Sequence, residues 1–214
     1  MKIGIVGSGK MGSVLGRLLA SAGHDVTMSS SRDPESMAAL PETLGVSVSV
    51  GSVPQAVEGA EVVILAVPWT AISAATSVVD DWTGRIVIDP TNNRSKPGPD
   101  GVIDIGGRVS SEIVQELVPG ARVVKAFNTT PIPILESGLG ANANGANAVY
   151  IAGDDDDAKG VVAALIASID GVAVDTGDLV TGGRLQGTGG PLSAVFEMMT
   201  PDEAKARLSD AISQ

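Results

Sequence analysis

Three glycines near the start of the chain carry the spacing Gly-x-Gly-x-x-Gly, in Gly7-Ser8-Gly9-Lys10-Met11-Gly12. A loop of this kind does its chemistry with backbone. The first glycine permits a tight turn out of a strand, the second lets the main chain approach a pyrophosphate, and the third lets the next helix pack on the strand. Unpaired N–H groups at the start of that helix then favour an anion without any basic side chain. A second polar set, Ser30-Ser31-Arg32, follows about twenty residues later, where NAD-binding folds place an acid for the ribose 2′-hydroxyl. No acid stands in Ser29-Ser30-Ser31-Arg32. Hydroxyls and a guanidinium suit a 2′-phosphate instead, which points to NADP(H).

Other reactive types are scarce. Cysteine is absent, so thiolate nucleophiles, disulfides and cysteine-ligated metals are excluded. The single histidine, His24, precedes the second strand, at the end of the sheet away from catalysis, and is expected to be structural. Tyr150 has Asp154 four residues later rather than a lysine, which removes the Tyr-x-x-x-Lys arrangement of short-chain dehydrogenases. The run Asp154-Asp155-Asp156-Asp157 lacks the glycine and distal glutamate of a calcium loop and fits a helix cap, so no metal site is expected. Asp89 is either a general base or a turn and cap residue. Lys125 faces solvent, pairs with an acid or approaches phosphate; the sequence leaves these open. A site so poor in acid–base groups suits hydride passing between two bound rings, which needs only close placement and exclusion of water.

The elements that must position these groups are legible as an alternation of strands and helices. Lys2 to Val6 leads into the glycines, and Val14, Leu15, Leu18, Leu19 and Ala22 recur at helical spacing behind them. A second strand lies at His24 to Met28, then a helix over 34–44, a strand over 46–50 and a short helix over 53–58. Val62-Val63-Ile64-Leu65-Ala66-Val67 is a continuous apolar run of the kind found in parallel strands covered on both faces. Its end, Ala66-Val67-Pro68-Trp69, should border the cofactor, since ligands of doubly wound sheets lie off the carboxyl ends of the strands. Trp69 either covers a ring or anchors the next helix. A fifth strand at Ile86 to Ile88 opens into a long loop whose start, Asp89-Pro90-Thr91-Asn92-Asn93, can offer amide hydrogen bonds. A helix over 111–118 precedes the sixth strand, 122–128, which ends in Asn128-Thr129-Thr130. Further strands are expected at 148–153 and 171–176. Leu192, Val195, Phe196 and Met199 form an apolar stripe at helical spacing, and Thr200-Pro201-Asp202-Glu203 reads as a capping box. The fold class is therefore α/β, a Rossmann doubly wound, mostly parallel sheet. The expected division is residues 1–176 as an NADP-binding domain and 177–214 as a small helical extension packed on it.

Composition narrows the partners. The net charge of −11 repels nucleic acid and anionic membrane, and aromatics at 2% leave few rings for base stacking. No apolar run approaches the roughly twenty residues of a membrane span. A cytoplasmic protein with small-molecule partners is expected.

Taken in order, Gly7 to Gly12, Ser31-Arg32, Val67-Pro68-Trp69, Lys125-Ala126-Phe127-Asn128-Thr129, Gly153 to Asp156 and Arg184-Leu185 resemble the NADP oxidoreductases dependent on coenzyme F420 over nearly the whole chain. The resemblance implies a dimeric Rossmann enzyme passing hydride between NADPH and a deazaflavin. Gly7, Ser8, Gly9, Lys10, Met11 and Gly12 would hold the dinucleotide, with Ser8, Ser30, Ser31 and Arg32 at its 2′-phosphate end. Pro68 and Trp69 would line the nicotinamide region, and Ala66, Val67, Asn92, Ala126 and Asn128 would also bind the cofactor. Asn128, Thr129 and Pro131 would shape the pocket of the second ring. The chain departs from the archaeal deazaflavin reductases in carrying Asn128 where they have histidine, and in the loop after the fifth strand. Val118 to Thr129 is similar to the reductase domain of the six-transmembrane epithelial antigen ferric reductases, which implies FMN or FAD as an alternative second ring. Gly9-Lys10-Met11-Gly12 also looks like pyrroline-5-carboxylate reductase, although the chain is short for that family's helical domain. A non-catalytic NADP sensor would share the same cradle.

Overall fold

The computed structural model describes residues 1–29, 37–140, 146–193 and 197–213. Ser30, Ser31 and Arg32, the first part of the helix expected over 34–44, and Val195 and Phe196 lie outside the described residues.

Eight strands make one sheet in the order β3-β2-β1-β4-β5-β6-β7-β8. They are β1 (Lys2–Val6), β2 (Asp25–Ser29), β3 (Ser49–Gly51), β4 (Val62–Leu65), β5 (Ile86–Asp89), β6 (Arg122–Ala126), β7 (Ala148–Gly153) and β8 (Val172–Asp175). Neighbours are parallel except at β6 and β7, where the chain reverses. The first six strands thus follow the 3-2-1-4-5-6 order of a doubly wound dinucleotide fold. All four residues of both β4 and β5 are buried, as apolar strands covered on both faces should be.

The helices are α1 (Lys10–Ser21), α2 (Leu40–Leu44), α3 (Val53–Val57), α4 (Ile72–Thr76), α5 (Ser110–Leu117), α6 (Ile132–Ser137), α7 (Asp156–Ser168), α8 (Thr181–Gln186) and α9 (Pro201–Ile212). Helix α1 buries Val14, Leu15 and Leu19 against β1 and β2 and sets its first turn beside the carboxyl ends of the strands. Two glycines make the close approach possible. A Cβ on Gly12 would lie 1.9 Å from the Gly7 carbonyl oxygen, and one on Gly4 would lie 2.0 Å from the Ala56 carbonyl oxygen in α3.

Several sequence expectations shift here. The sixth strand stops at Ala126 rather than Asn128, because Phe127 takes a left-handed backbone (φ 65°) with its ring wholly buried. Its carbonyl then accepts from Thr130 N–H at 3.1 Å, closing a turn. The third strand begins at Ser49, not Val46, and among the described residues of 37–44 only Leu40–Leu44 is α-helical. The apolar stripe is not a regular helix in its described part. Leu192 lies in a turn and Met199 in irregular chain, yet both are buried with Tyr150, Val174 and Ala204. This small cluster seats α9 on β7 and β8, and the Tyr150 hydroxyl donates to the Ala204 carbonyl at 2.9 Å. The capping box at Thr200 is present, with Pro201 in the first turn.

Candidate functional site

A cavity of about 470 Å³ opens at the carboxyl ends of β1, β4 and β5. Its walls come from residues 9–11, 66–69, 90–92 and 94–97, together with Ile132. The glycine loop supplies the floor. Gly7 has φ 115° and sits so close to the end of β4 that a Cβ would meet the Ala66 carbonyl oxygen at 2.3 Å, and its N–H donates to the Ser29 carbonyl at 2.8 Å. Gly9 differs from both neighbours in the motif. A Cβ built on it meets no protein atom within 4 Å, so the side-chain direction at Gly9 points into open space. That is the arrangement expected where backbone must approach a ligand, while Gly7 and Gly12 serve the turn and the helix packing.

Lys10 and Met11 stand at the first turn of α1, and Ser8 is half-buried with its carbonyl accepting from Ser13 Oγ at 3.2 Å. Ala66, Val67, Pro68 and Trp69 form the wall beside the glycine loop. Trp69 does two things at once: it packs on the core cluster of Val6, Val57 and Leu65 and contributes to the cavity.

The loop after β5 enters the site on a buried ion pair. Asp89 and Lys125 are register partners on adjacent strands, both wholly buried, with Nζ 3.1 Å from Oδ2. The Asp89 carboxylate also accepts from Thr91 N–H at 2.9 Å, Thr91 Oγ1 at 2.6 Å and Ser111 Oγ at 2.7 Å. Lys125 donates further to the Thr91 carbonyl at 3.0 Å and to Ser110 Oγ at 3.3 Å. Burial alone would raise the Asp89 carboxyl. The Lys125 ammonium and the hydrogen bonds from Thr91 and Ser111 outweigh it and hold the group below its ordinary value. With its oxygens occupied and no exposed surface, Asp89 is a positioning residue here. Lys125 pairs with an acid, one of the three roles the sequence left open for it.

What this pair positions is Asn92. Its side-chain amide donates to the Asn128 carbonyl at 2.9 Å, and Asn128 Nδ2 in turn reaches Asn92 Oδ1 at 3.3 Å and the Gln186 carbonyl at 2.9 Å. Three polar atoms on this segment, Asn128 Oδ1, Gln186 Oε1 and Thr188 Oγ1, are buried and have no hydrogen-bond partner. Such atoms cost free energy unless something supplies donors. A second recess of about 240 Å³ reaches Thr188 alone of the three, and is bounded further by Asn93, residues 102–105 and 107–110, and Gly183, Arg184 and Gly187 of the α8 region. Asn92 and Asn93, adjacent in the chain, thus wall two different recesses. No motif singled out Gln186 or Thr188; only the fold brings them to Asn128.

Other expected site residues go elsewhere. Ala126 is wholly buried in the core and does not line the cavity. Thr129 and Pro131 face a crevice with Asn147, Tyr150 and Met199 whose free volume is about 10 Å³, room for about one water and not for a ring. His24 lies at the amino ends of the strands, bonded to Ser168 Oγ at 2.9 Å, and burial followed by the nearby N-terminal charge lowers its pKa. The acidic run caps: Asp155 accepts from the Ala158 N–H at 2.7 Å, Asp154 from the Leu179 N–H at 2.9 Å, and Asp156 pairs with Lys159.

The relatives share this fold. Residues 2–93 match the profile of the family described as NADP oxidoreductase, coenzyme F420-dependent. The hypothetical protein SMa0349 of Sinorhizobium meliloti has a similar structure at 37% identity, with TM-score 0.84, covering 94% of this chain and 96% of that one. A candidate F420-dependent NADP-reductase from Arthrobacter sp. FB24 is 27% identical with TM-score 0.72, over 84% of this chain and 86% of that one. The metalloreductase STEAP3 of Rattus norvegicus is 30% identical over 84% of this chain and 34% of its own length, so the chain spans about a third of the length of that curated relative. No described helix is long and apolar enough to cross a membrane. From the glycine cradle through the Asn92 loop the chain matches the model of the coenzyme F420-dependent NADP oxidoreductase family, and over most of its length its fold is similar to that of the two solved structures.

Proposed function

We propose that the protein transfers a hydride between NADPH and a planar redox ring, a deazaflavin of the coenzyme F420 type. The observation that carries this reading is the character of the cavity. It is built for a dinucleotide at the glycine loop, yet among the described residues no histidine, tyrosine or carboxylate lines it to serve a reacting oxygen, and the nearby Asp89–Lys125 pair is closed on itself. Reduction of a simple carbonyl would call for a proton donor at the reacting oxygen; hydride transfer between rings does not.

The dinucleotide fits the residues present. Open space at Gly9 and the first turn of α1 would take the pyrophosphate, and Pro68, Trp69 and Asn92 would border the nicotinamide. When bound, NADPH supplies the hydride. The protein's part is to hold the rings at near-attack distance and exclude water. Asn92, at the cavity wall, is held for that task by its two hydrogen bonds with Asn128, which is itself anchored on the Gln186 carbonyl. On this reading the protein is a homodimer, as the family resemblance implies, and works in the cytoplasm on a small molecule.

A second reading has FMN or FAD as the ring, with a ferric chelate as the final acceptor. The similarity to a metalloreductase favours it. Incubating the protein with NADPH and, separately, F420, FMN, FAD and a ferric chelate decides. Turnover fastest with F420 supports the first reading and fastest with a flavin the second. NADPH binding without turnover on any of them would leave a non-catalytic NADP-binding protein.

A further inference from the structure

Resting on the NADP reading, we propose that residues 93–103 form a preorganised cationic strap whose Arg94 and Lys96 grip the pyrophosphate of the dinucleotide from the side opposite the glycine loop. The cavity's charged lining residues are Lys10 on the glycine-loop wall and Arg94 and Lys96 on the facing wall; no acid lines it. In a chain of net charge −11, a cavity with only cations is an unusual distribution and a local attraction for an anion. Among the described residues none of these three cations has an acidic partner: the ion pairs formed involve Arg108, Arg122, Lys125, Lys159 and Lys205 instead.

The strap is built to hold its shape. Asn93, itself buried, pins the base by donating from Nδ2 to the Ile103 carbonyl at 2.7 Å, and its own carbonyl accepts from Ile103 N–H at 2.8 Å. Arg94 bridges to Val102, and the Ser95 N–H donates to the Gly101 carbonyl at 2.7 Å. Gly101 is required at the crossing, since a Cβ there would lie 1.9 Å from the Lys96 carbonyl oxygen. The Arg94 guanidinium is oriented by donation from Nη1 to the Gly98 carbonyl at 2.6 Å, which leaves other donors of its fork available. A guanidinium so held loses little freedom on meeting phosphate oxygens, and it matches their geometry better than an ammonium does. The backbone amides at the start of α1 and the strap cations therefore address one anion from two sides.

The test is a binding measurement without any acceptor, on the full chain, comparing wild type with Arg94→Gln/Lys96→Gln by fluorescence titration of NADPH and of adenosine 2′-monophosphate, which has no pyrophosphate. Both positions are at least partly exposed, so the melting temperature should not change. The expected result is a Kd for NADPH raised about tenfold or more, from the loss of charge-assisted hydrogen bonds, with the Kd for adenosine 2′-monophosphate unchanged and the difference shrinking as salt is added. Unaltered NADPH affinity in the double variant, or an equal loss for both ligands, would overturn the strap. Failure of the wild type itself to bind NADPH would overturn the NADP reading and the strap with it.

Discussion

Asp89 at the end of β5 and Lys125 in β6 face each other across adjacent strands, Nζ to Oδ2 3.1 Å, with neither side chain exposed. Together with Thr91, Ser110 and Ser111 they tie two strands to the start of α5 and fix the direction in which the Asn92 loop leaves the sheet. Removing one member strands a buried charge. Asp89→Leu or Lys125→Met should each lower the free energy of unfolding by about 3 kcal/mol or more, whereas the double change Asp89→Leu/Lys125→Met should recover part of that loss. Denaturant midpoints of the four proteins form the required cycle. Additive losses would mean that the two groups do not act as a pair.

The same pair sets a pH dependence. The carboxyl of Asp89 is held below its ordinary value, so the sign is that of a depressed acid: its contribution is fully present above the unfolded pKa of about 3.9 and fades as pH falls through the folded one. The stability difference between wild type and Asp89→Asn should be flat from neutral pH down to about 5 and should narrow below about 4. Thermal melts across that range provide the measurement. A difference that changes between pH 6 and 8 would point to another group.

The three glycines of the cradle should separate by experiment. Gly12→Ala puts a methyl against the Gly7 carbonyl and should lower the melting temperature sharply; Gly9→Ala meets no protein atom and should leave it unchanged while weakening NADPH binding. Equal melting losses for both would remove the distinction between packing glycine and ligand glycine.

Asn128 should matter to chemistry more than to folding. Its amide joins Asn92, at the cavity wall, to the Gln186 carbonyl behind it, so that Asn128 acts by positioning Asn92. Asn128→Ala should reduce kcat about tenfold, equivalent to one lost oriented hydrogen bond, with a smaller change in the KM for NADPH. A KM effect alone would assign Asn128 to simple dinucleotide binding.

Much of the sheet was legible because its signals are local. The apolar runs of β4 and β5, the glycine spacing and the α1 stripe each declare themselves within a few residues, and the carboxyl-end rule then places Ala66 to Trp69 at the ligand. What escaped depends on distant pairing. Asp89 and Lys125 are 36 residues apart, and only strand order makes them neighbours, so a strand-end aspartate read as a base or a cap. Ala126 and Thr129 rest on the family resemblance, and the left-handed turn at Phe127 ends the sixth strand at Ala126 and redirects the chain before Thr129. Gln186 and Thr188 carry no motif and reach the site because α8 returns to the carboxyl edge, where Asn128 meets the Gln186 carbonyl.

The central claim is hydride transfer between NADPH and a second ring, and an anaerobic single turnover tests it most directly. Protein, NADPH deuterated at the transferring carbon and oxidised F420 are mixed, and both chromophores are followed together. The expected result is one-to-one loss of the two absorbances, slowed by the deuterium, with label recovered in the reduced deazaflavin. Loss of NADPH without reduction of F420 or a flavin, or label appearing only in water, would contradict it.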